Sequence, residues 1–131
     1  MIIDTSAIVA VLSAESDAPL YAEAIAGAAA PVISAGTYLE CGIVVNSLGR
    51  AGLGLALDGF LEQLQIAIQP VTREHAVLAR AAYREFGKGN HPARLNFGDC
   101  LSYALAVHTG QPLLWKGDDF THTGIPSALE A

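Results

Sequence analysis

Apolar residues along the chain fall into two kinds of segment that alternate. Short β-branched or otherwise apolar runs that stop at turn signals predict strands, and they cover residues 1–4, 31–34, 66–71 and 113–115. Longer segments with apolar residues three or four positions apart predict helices, and they cover residues 5–14, 19–30, 36–50, 52–65, 73–86 and 96–109. Strands that alternate with helices are typical of a parallel sheet covered on both faces, so we expect an α/β fold.

Local signals predict where the last two helices begin and end. Thr72 is a good N-cap for the helix at residues 73–86, and Gly110 suits the position just beyond the helix that Asn96 begins. A glycine-rich loop at residues 87–95 joins these helices, and a turn at residues 116–119 precedes an irregular tail. Ligands of parallel sheets bind beyond the carboxyl ends of the strands, so the residues just after each strand are the functional candidates.

The length and composition predict one domain with apolar surface to spare. The chain has 131 residues, about the length of one domain and too short for two. Apolar residues make up 52% of it and charged residues 15%, against typical shares of about 45–50% and about 25%. We therefore expect a homodimer, or a tightly bound partner, to cover the apolar residues that the core does not need.

The charge is acidic overall but unevenly placed. A net charge of −6 argues against broad, non-specific coating of nucleic acid. Five of the seven basic residues nevertheless fall in one short stretch, namely Arg73, Arg80, Arg84, Lys88 and Arg94. The net charge therefore does not exclude a nucleic-acid substrate. Arg94 and Lys88, in the glycine-rich loop, are the better candidates to bind RNA phosphates, whereas Arg73 and Arg80 suit a solvated helix face.

The cysteines and the apolar runs favour a cytoplasmic protein. Cys41 and Cys100 lie far apart within apolar segments, which suits reduced core cysteines better than a disulfide framework. The chain starts Met-Ile-Ile-Asp without a basic region, so we expect no signal peptide. Gly, Pro or charged residues interrupt each apolar run, so we expect no membrane span.

Acidic residues follow the predicted strands. Asp4 ends the first strand, Glu40 lies early in the helix after the second, Asp99 lies in the first turn of the last helix, and Asp118 and Asp119 follow the last strand. Carboxylates that converge at one sheet edge repel one another unless a cation lies between them or some stay protonated. Oxygen ligands favour Mg²⁺ or Mn²⁺ over zinc, and such ions can activate water for an in-line phosphodiester displacement.

Each of these residues also has an ordinary structural interpretation. Asp4 can cap the following helix, Asp99 can pair with Asn96 in a capping box, and Glu40 can favour its helix N-terminus. The two aspartates after the last strand can be turn residues. The structural interpretation is weaker for the whole set than for any one residue. Asp4 and Asp99 lie among apolar residues, where an unpaired carboxylate is costly.

Other chemistries lack their sequence patterns. No glycine-rich phosphate loop is present, the cysteines and histidines lack zinc spacing, and neither Ser6 nor Cys100 lies in a nucleophile motif. A phosphoryl-handling α/β enzyme is the first alternative. A dehalogenase-like phosphatase would need Asp-x-Asp-x-Thr after the first strand, where this chain has Asp4-Thr5-Ser6, and a receiver domain would need an aspartate after the third.

Four segments in this order resemble the PIN-domain ribonucleases, and in particular the toxins of bacterial VapBC toxin–antitoxin pairs. They are Met1-Ile2-Ile3-Asp4-Thr5-Ser6, Glu40 opening an apolar helix, Phe97-Gly98-Asp99-Cys100-Leu101-Ser102-Tyr103-Ala104-Leu105-Ala106, and Leu113-Leu114-Trp115-Lys116-Gly117-Asp118-Asp119-Phe120. The resemblance spans nearly the whole chain.

The resemblance implies a single PIN-like domain with a four- or five-stranded parallel sheet. It implies Mg²⁺- or Mn²⁺-dependent cleavage of RNA by a homodimer that a small VapB-like antitoxin holds inactive. It also implies that Asp4 and Asp99 bind metal, that Glu40 is the third acidic residue, and that Ser6 supports the first aspartate. A PIN-like module that binds RNA or protein without cutting is the second alternative, although all its acidic positions are filled.

One segment departs from the family pattern. Members often have Thr-x-Asp or Thr-x-Asn after the last strand, where this chain reads Trp115-Lys116-Gly117 followed by Asp118 and Asp119. The fourth acidic role is open between the two aspartates. We favour Asp118 because it lies nearer the strand, and we expect Asp119 to support it while Phe120 packs inward and anchors the turn.

Overall fold

The chain alternates strands and helices as the apolar pattern predicts. In a computed structural model, residues 1–89 and 91–129 are described; position 90 of the predicted loop and the last two residues of the tail lie outside that part. The strands are β1 (Ile2–Ile3), β2 (Val32–Ser34), β3 (Ala67–Gln69) and β4 (Leu113–Leu114). The helices are α1 (Thr5–Leu12), α2 (Ala18–Ala26), α3 (Ala35–Ser47), α4 (Leu53–Gln63), α5 (Arg73–Phe86) and α6 (Phe97–Thr109).

The predicted elements are confirmed, with shorter strands than the pattern indicated. Among the strands the largest difference is β3, which covers three residues of the six predicted, all of them exposed. It lies at the edge of the sheet beside β2, and Pro70, which has no N–H to donate to a neighbouring strand, follows it directly.

The sheet is parallel throughout, with the strand order β3-β2-β1-β4. The chain moves from β1 outward to β2 and β3, then crosses back to place β4 on the other side of β1. The direction of winding therefore reverses between β1 and β4. In open parallel sheets such a reversal leaves a crevice beyond the carboxyl ends of the two strands, and ligands bind there.

The sheet separates two hydrophobic cores. Ile3 and Leu114 pack with the buried residues of α1 to α4, whereas their chain neighbours Ile2 and Leu113 pack with those of α5 and α6. This is the alternation that a strand covered on both faces requires, because successive side chains point to opposite sides. Both faces of β1 and β4 are thus buried.

The predicted caps are also confirmed. Thr72 and His75 form a capping box at the start of α5, and Gly110 ends α6 with a left-handed φ of 68°. Across the two described stretches, every helix falls short of the length and apolarity that a membrane span needs.

Candidate active site

Asp4 lies at the carboxyl end of β1, at the reversal point, and is 3% exposed. Its Oδ2 atom accepts hydrogen bonds from the Ser6 backbone N–H at 3.0 Å and from the Ser6 hydroxyl at 2.7 Å. Its Oδ1 atom accepts from the Ser102 hydroxyl at 2.7 Å. Burial raises the pKa of Asp4, and the bonds from Ser6 and Ser102 oppose that rise. The carboxylate is thus the N-cap of α1 and also belongs to a larger polar cluster.

Ser102 is a site residue that the sequence did not indicate. It is fully buried on α6, and its hydroxyl lies 3.2 Å from that of Thr37 on α3. Since the Ser102 proton is donated to Asp4, Thr37 is the donor to Ser102. The two hydroxyls join α3, α6 and β1 beneath the site. The only sequence signal was a serine in an apolar helix one turn after Asp99, and such a serine is more often a simple core residue.

Ser6 contacts Asp4, as the resemblance implied, and it also contacts the turn after β4. Its hydroxyl oxygen accepts from the Lys116 backbone N–H at 3.0 Å while its proton goes to Asp4. The Lys116 ammonium bonds Asp17 at 2.9 Å and lies 3.4 Å from Glu15. These contacts hold the turn after β4 against both ends of the segment that contains α1.

Asp99 forms the capping box considered for it and also lies in the acidic cluster. Its Oδ2 atom accepts from the Asn96 backbone N–H at 3.0 Å, and its own N–H donates to the Asn96 side chain at 2.9 Å, which is a complete capping box. It is nevertheless 7% exposed and lies close to two further carboxylates. Burial, together with the charges of Asp4 and Asp119, raises the pKa of Asp99 to about 8 against the single opposing bond from Asn96.

The two aspartates of the turn after β4 differ in their electrostatic effect on Asp99. The charge of Asp119 contributes to the raised pKa of Asp99 and that of Asp118 does not, although both residues are exposed. Phe120 is 1% exposed and stacks near Trp115, so the turn is anchored as expected. The preference for Asp118 rested on its nearness to the strand. The influence of Asp119 on the pKa of Asp99 favours Asp119 instead, and the choice between the two stays a prediction.

Glu40 lies in the second turn of α3 and reaches the site from the side of β2. It is half-buried and accepts a hydrogen bond from the Thr5 hydroxyl. Burial raises the pKa of Glu40; the bond from Thr5 opposes this shift and the charge of Asp4 adds to it. Its carboxylate also lies against the backbone of Gly98, at the start of α6. Four carboxylates from four segments therefore influence one another electrostatically.

The donor set fits a hard divalent cation. Its atoms are carboxylate oxygens, which hard cations prefer. The pKa values of Asp4, Glu40 and Asp99 are all raised, mainly by burial. The ionised carboxylates therefore lack a compensating positive charge. In the described ranges, no three His, Cys, Asp or Glu side chains are already arranged around one point. A cation here would keep part of its water shell, as Mg²⁺ commonly does.

The two candidate RNA-binding residues are exposed on the loop before α6. Arg94 has a positive φ of 57°, and Lys88 lines a groove beside the site. The ion pairs found among the described residues all involve Lys116, so neither loop cation is neutralised within that part of the chain.

A broad apolar groove of about 810 Å³ adjoins the acidic site. It lies between α3, α5 and α6. Its lining includes Leu39 at 64% exposure, Phe97 at 82%, and Tyr83 at 44%. Phe97 is two residues from Asp99, so the groove and the acidic pocket meet at the first turn of α6. Two cysteines predicted to be core residues, Cys41 and Cys100, are buried and reduced.

A parallel sheet with four carboxylates beside its reversal point defines an open α/β domain with an acidic pocket at the carboxyl ends of its strands. The chain belongs to the PIN domain family, whose sequence model matches residues 1–126. It is 55% identical over 131 residues to a Mycobacterium tuberculosis protein named Ribonuclease VapC28, with 99% of this chain and 98% of that one covered. It is 47% identical over 126 residues to Ribonuclease VapC30 of the same species, with 95% of each chain covered. The expected resemblance is therefore confirmed.

A solved structure supports the fold. The chain is similar to Mycobacterium tuberculosis VapC20, described as a sarcin-ricin loop cleaving toxin, with a TM-score of 0.76 and 95% of both chains covered. The two sequences are 16% identical, so this likeness concerns the fold alone.

Proposed function

We propose that this chain is a metal-dependent endoribonuclease that acts as the toxin of a toxin–antitoxin pair. The observation that carries the proposal is the group of buried carboxylates with raised pKa values at the reversal point of the sheet. Full-length relatives named VapC ribonucleases at 45–55% identity support the same activity.

Asp4 and Asp99 would hold the ion, Mg²⁺ or Mn²⁺, with Asp119 beside Asp99. When bound, the ion supplies a nucleophilic water and stabilises charge on the phosphate oxygens. Ser6 and Ser102 keep the Asp4 carboxylate in one orientation through three donated bonds. Glu40, whose pKa burial raises, is placed to accept a proton near Asp4.

The RNA would approach over the loop before α6. Lys88 and Arg94 are exposed there, and the pocket itself is acidic. Phosphate contacts of this kind orient a nucleic acid without reading its sequence. The substrate RNA is thus positioned by the loop, while the carboxylates act on one phosphodiester bond.

The protein would be a homodimer regulated by a VapB-like antitoxin. The groove of about 810 Å³ and the exposed side chains of Leu39, Ile43 and Phe97 form an apolar surface that water does not favour. A second copy of the chain would cover it. An antitoxin with a basic side chain could enter the acidic pocket and compete with the ion through a charge-assisted hydrogen bond.

The decisive experiment incubates the purified chain with RNA in Mg²⁺, Mn²⁺ or EDTA. We expect cleavage with either ion, none with EDTA, and none from Asp99→Asn. We also expect growth arrest when the chain is expressed alone, and normal growth when the product of the neighbouring gene is co-expressed. Intact RNA under every ion condition would contradict the nuclease and favour a PIN-like module that binds without cutting.

A further inference from the structure

Gly98 occupies a position where the backbone gives no reason for a glycine. It is the second residue of α6, and its φ is not in the left-handed region. Glycine is unfavourable in a helix, because it has more conformational freedom to lose than alanine. A glycine nevertheless occupies this position, one residue before Asp99. The explanation must therefore lie in the atoms that surround it.

The atoms nearest to the position of a Cβ on Gly98 all belong to the Glu40 carboxylate. A Cβ atom built on Gly98 would lie 2.0 Å from Glu40 Oε2 and 2.4 Å from both Cδ and Oε1. All three are the closest atoms to that Cβ, and real Cβ atoms do not approach so near. The carboxylate therefore fills the volume that any other residue at position 98 would need.

The Thr5 hydroxyl also donates a hydrogen bond to Glu40 Oε1. Thr5 is the first residue of α1 and is 8% exposed. The Glu40 carboxylate thus contacts a hydrogen-bond donor on α1 and the backbone of Gly98 on α6. Both contacts come from residues directly adjacent to the aspartates that would hold the ion.

We propose that Gly98 and Thr5 are positioning residues for Glu40: the missing side chain of Gly98 admits the carboxylate to the site, and the Thr5 hydroxyl sets its place. The inference rests on the proposed function, since Glu40 has a task only if the site binds a cation and cleaves RNA. The clash meets the flexible tip of a side chain, so alanine at position 98 displaces the carboxylate and leaves the fold intact.

The test is a double-mutant cycle with Gly98→Ala and Glu40→Ala, read by RNA cleavage and by Mn²⁺ titration in calorimetry. Gly98→Ala should slow cleavage about 10- to 100-fold, as displacements of about 1 Å do in active sites. In the Glu40→Ala background the same change should cost less than about twofold, because nothing remains to collide with the new methyl group. Gly59→Ala on α4, where a Cβ meets nothing within 4 Å, is the matched control and should match the parent.

A second pair tests the hydroxyl. Thr5→Val should slow cleavage and weaken Mn²⁺ binding, and Thr5→Ser, which keeps the donor, should restore both. Equal losses from Gly98→Ala with and without Glu40, or equal behaviour of the serine and valine variants, would overturn the inference. If the parent cleaves no RNA, the proposed function fails, and the Mn²⁺ affinities of the same cycle still decide whether position 98 acts through Glu40.

Discussion

The first turn of α6 separates two surfaces of opposite character. On one side Asp99 is 7% exposed and lies in a pocket of carboxylates; on the other Phe97 is 82% exposed and lines an apolar groove. The pocket buries charge that water would prefer to solvate, and the groove exposes carbon that water disfavours. Each surface is therefore unfavourable in water without a partner.

The difference indicates which partner each surface needs. A cation relieves repulsion among carboxylates, and its effect is short-ranged and specific to charge. An apolar groove gains from any well-fitting apolar cover, and its effect scales with the area removed from water. We expect substitutions in the pocket to change chemistry without changing assembly, and those in the groove to do the reverse.

The largest effect should come from Asp99→Asn. Cleavage should fall by about 100- to 1,000-fold, as when a main electrostatic stabiliser is lost. The melting temperature should not fall, because the amide oxygen can still accept the bond from Asn96 and the amide carries no charge that burial would disfavour. Asp4→Asn should lose activity and also stability, by about 1–3 kcal/mol, since three donors converge on a group that now carries an NH₂. Cleavage assays and thermal melts of both variants check this contrast, which equal melting temperatures would contradict.

Assembly should respond to a charge in the groove. Leu39→Glu should weaken the homodimer at least about 30-fold, the effect of losing about 2 kcal/mol at the centre of an interface. Leu55→Glu on α4 is the matched control, because Leu55 is 81% exposed but lies outside the groove. Sedimentation across a concentration series measures both. A dimer that resists Leu39→Glu and dissociates with Leu55→Glu would place the interface elsewhere.

The two aspartates of the turn should differ by about an order of magnitude. Asp119→Asn should lower Mn²⁺-dependent cleavage about tenfold, roughly one factor of ten for each ~1.4 kcal/mol of lost stabilisation, because the charge of Asp119 acts on Asp99. Asp118→Asn should stay within about twofold of the parent, as surface changes usually do. Cleavage rates of the two variants, measured side by side, decide which aspartate takes the fourth acidic role. A greater loss from Asp118→Asn would support the assignment favoured by the sequence.

The pocket should also make the metal-free fold sensitive to pH. The pKa of Asp99 is raised from 3.8 to about 8, so the folded chain holds a proton that the unfolded chain has released between those values. The free energy of unfolding should therefore fall as pH rises from about 4 to about 8. The melting temperature should drop by at least about 4 °C, the equivalent of ~1 kcal/mol in a domain of this size. Melts in EDTA across this range test it, and Asp99→Asn should flatten the slope.

The smallest effect should come from the loop cations. Arg94→Asn removes one charge and keeps a residue that tolerates the left-handed backbone at position 94. It should weaken RNA binding a few-fold and reduce the salt dependence of log K by about 0.7, the value for one phosphate contact on a single strand. Binding of RNA to a non-cleaving Asp99→Asn background at several salt concentrations measures this. An unchanged slope would exclude a phosphate contact for Arg94.

Local signals in the chain were enough for the elements and for part of the site. The periodicity of apolar residues, the Thr72 cap and Gly110 act within a turn or two of helix, so they can be read without knowing the fold. The positions of Asp4 and Asp99 after predicted elements led to the same edge of the sheet by topology alone.

The remaining site contacts join residues far apart in the chain. The Ser102–Asp4 bond spans 98 positions, the Thr37–Ser102 bond 65, and the Thr5–Glu40 bond 35. Each depends on how closely α3, α6 and β1 approach, which the packing of two cores decides and no local pattern encodes. The same holds for Asp119, whose charge acts on Asp99 only because the turn after β4 packs near the start of α6. The amino-acid pattern thus specified which chemistry was present, and tertiary packing decided which atoms meet, because hydrogen bonds and steric exclusion act over a few ångströms of space whatever the distance along the chain.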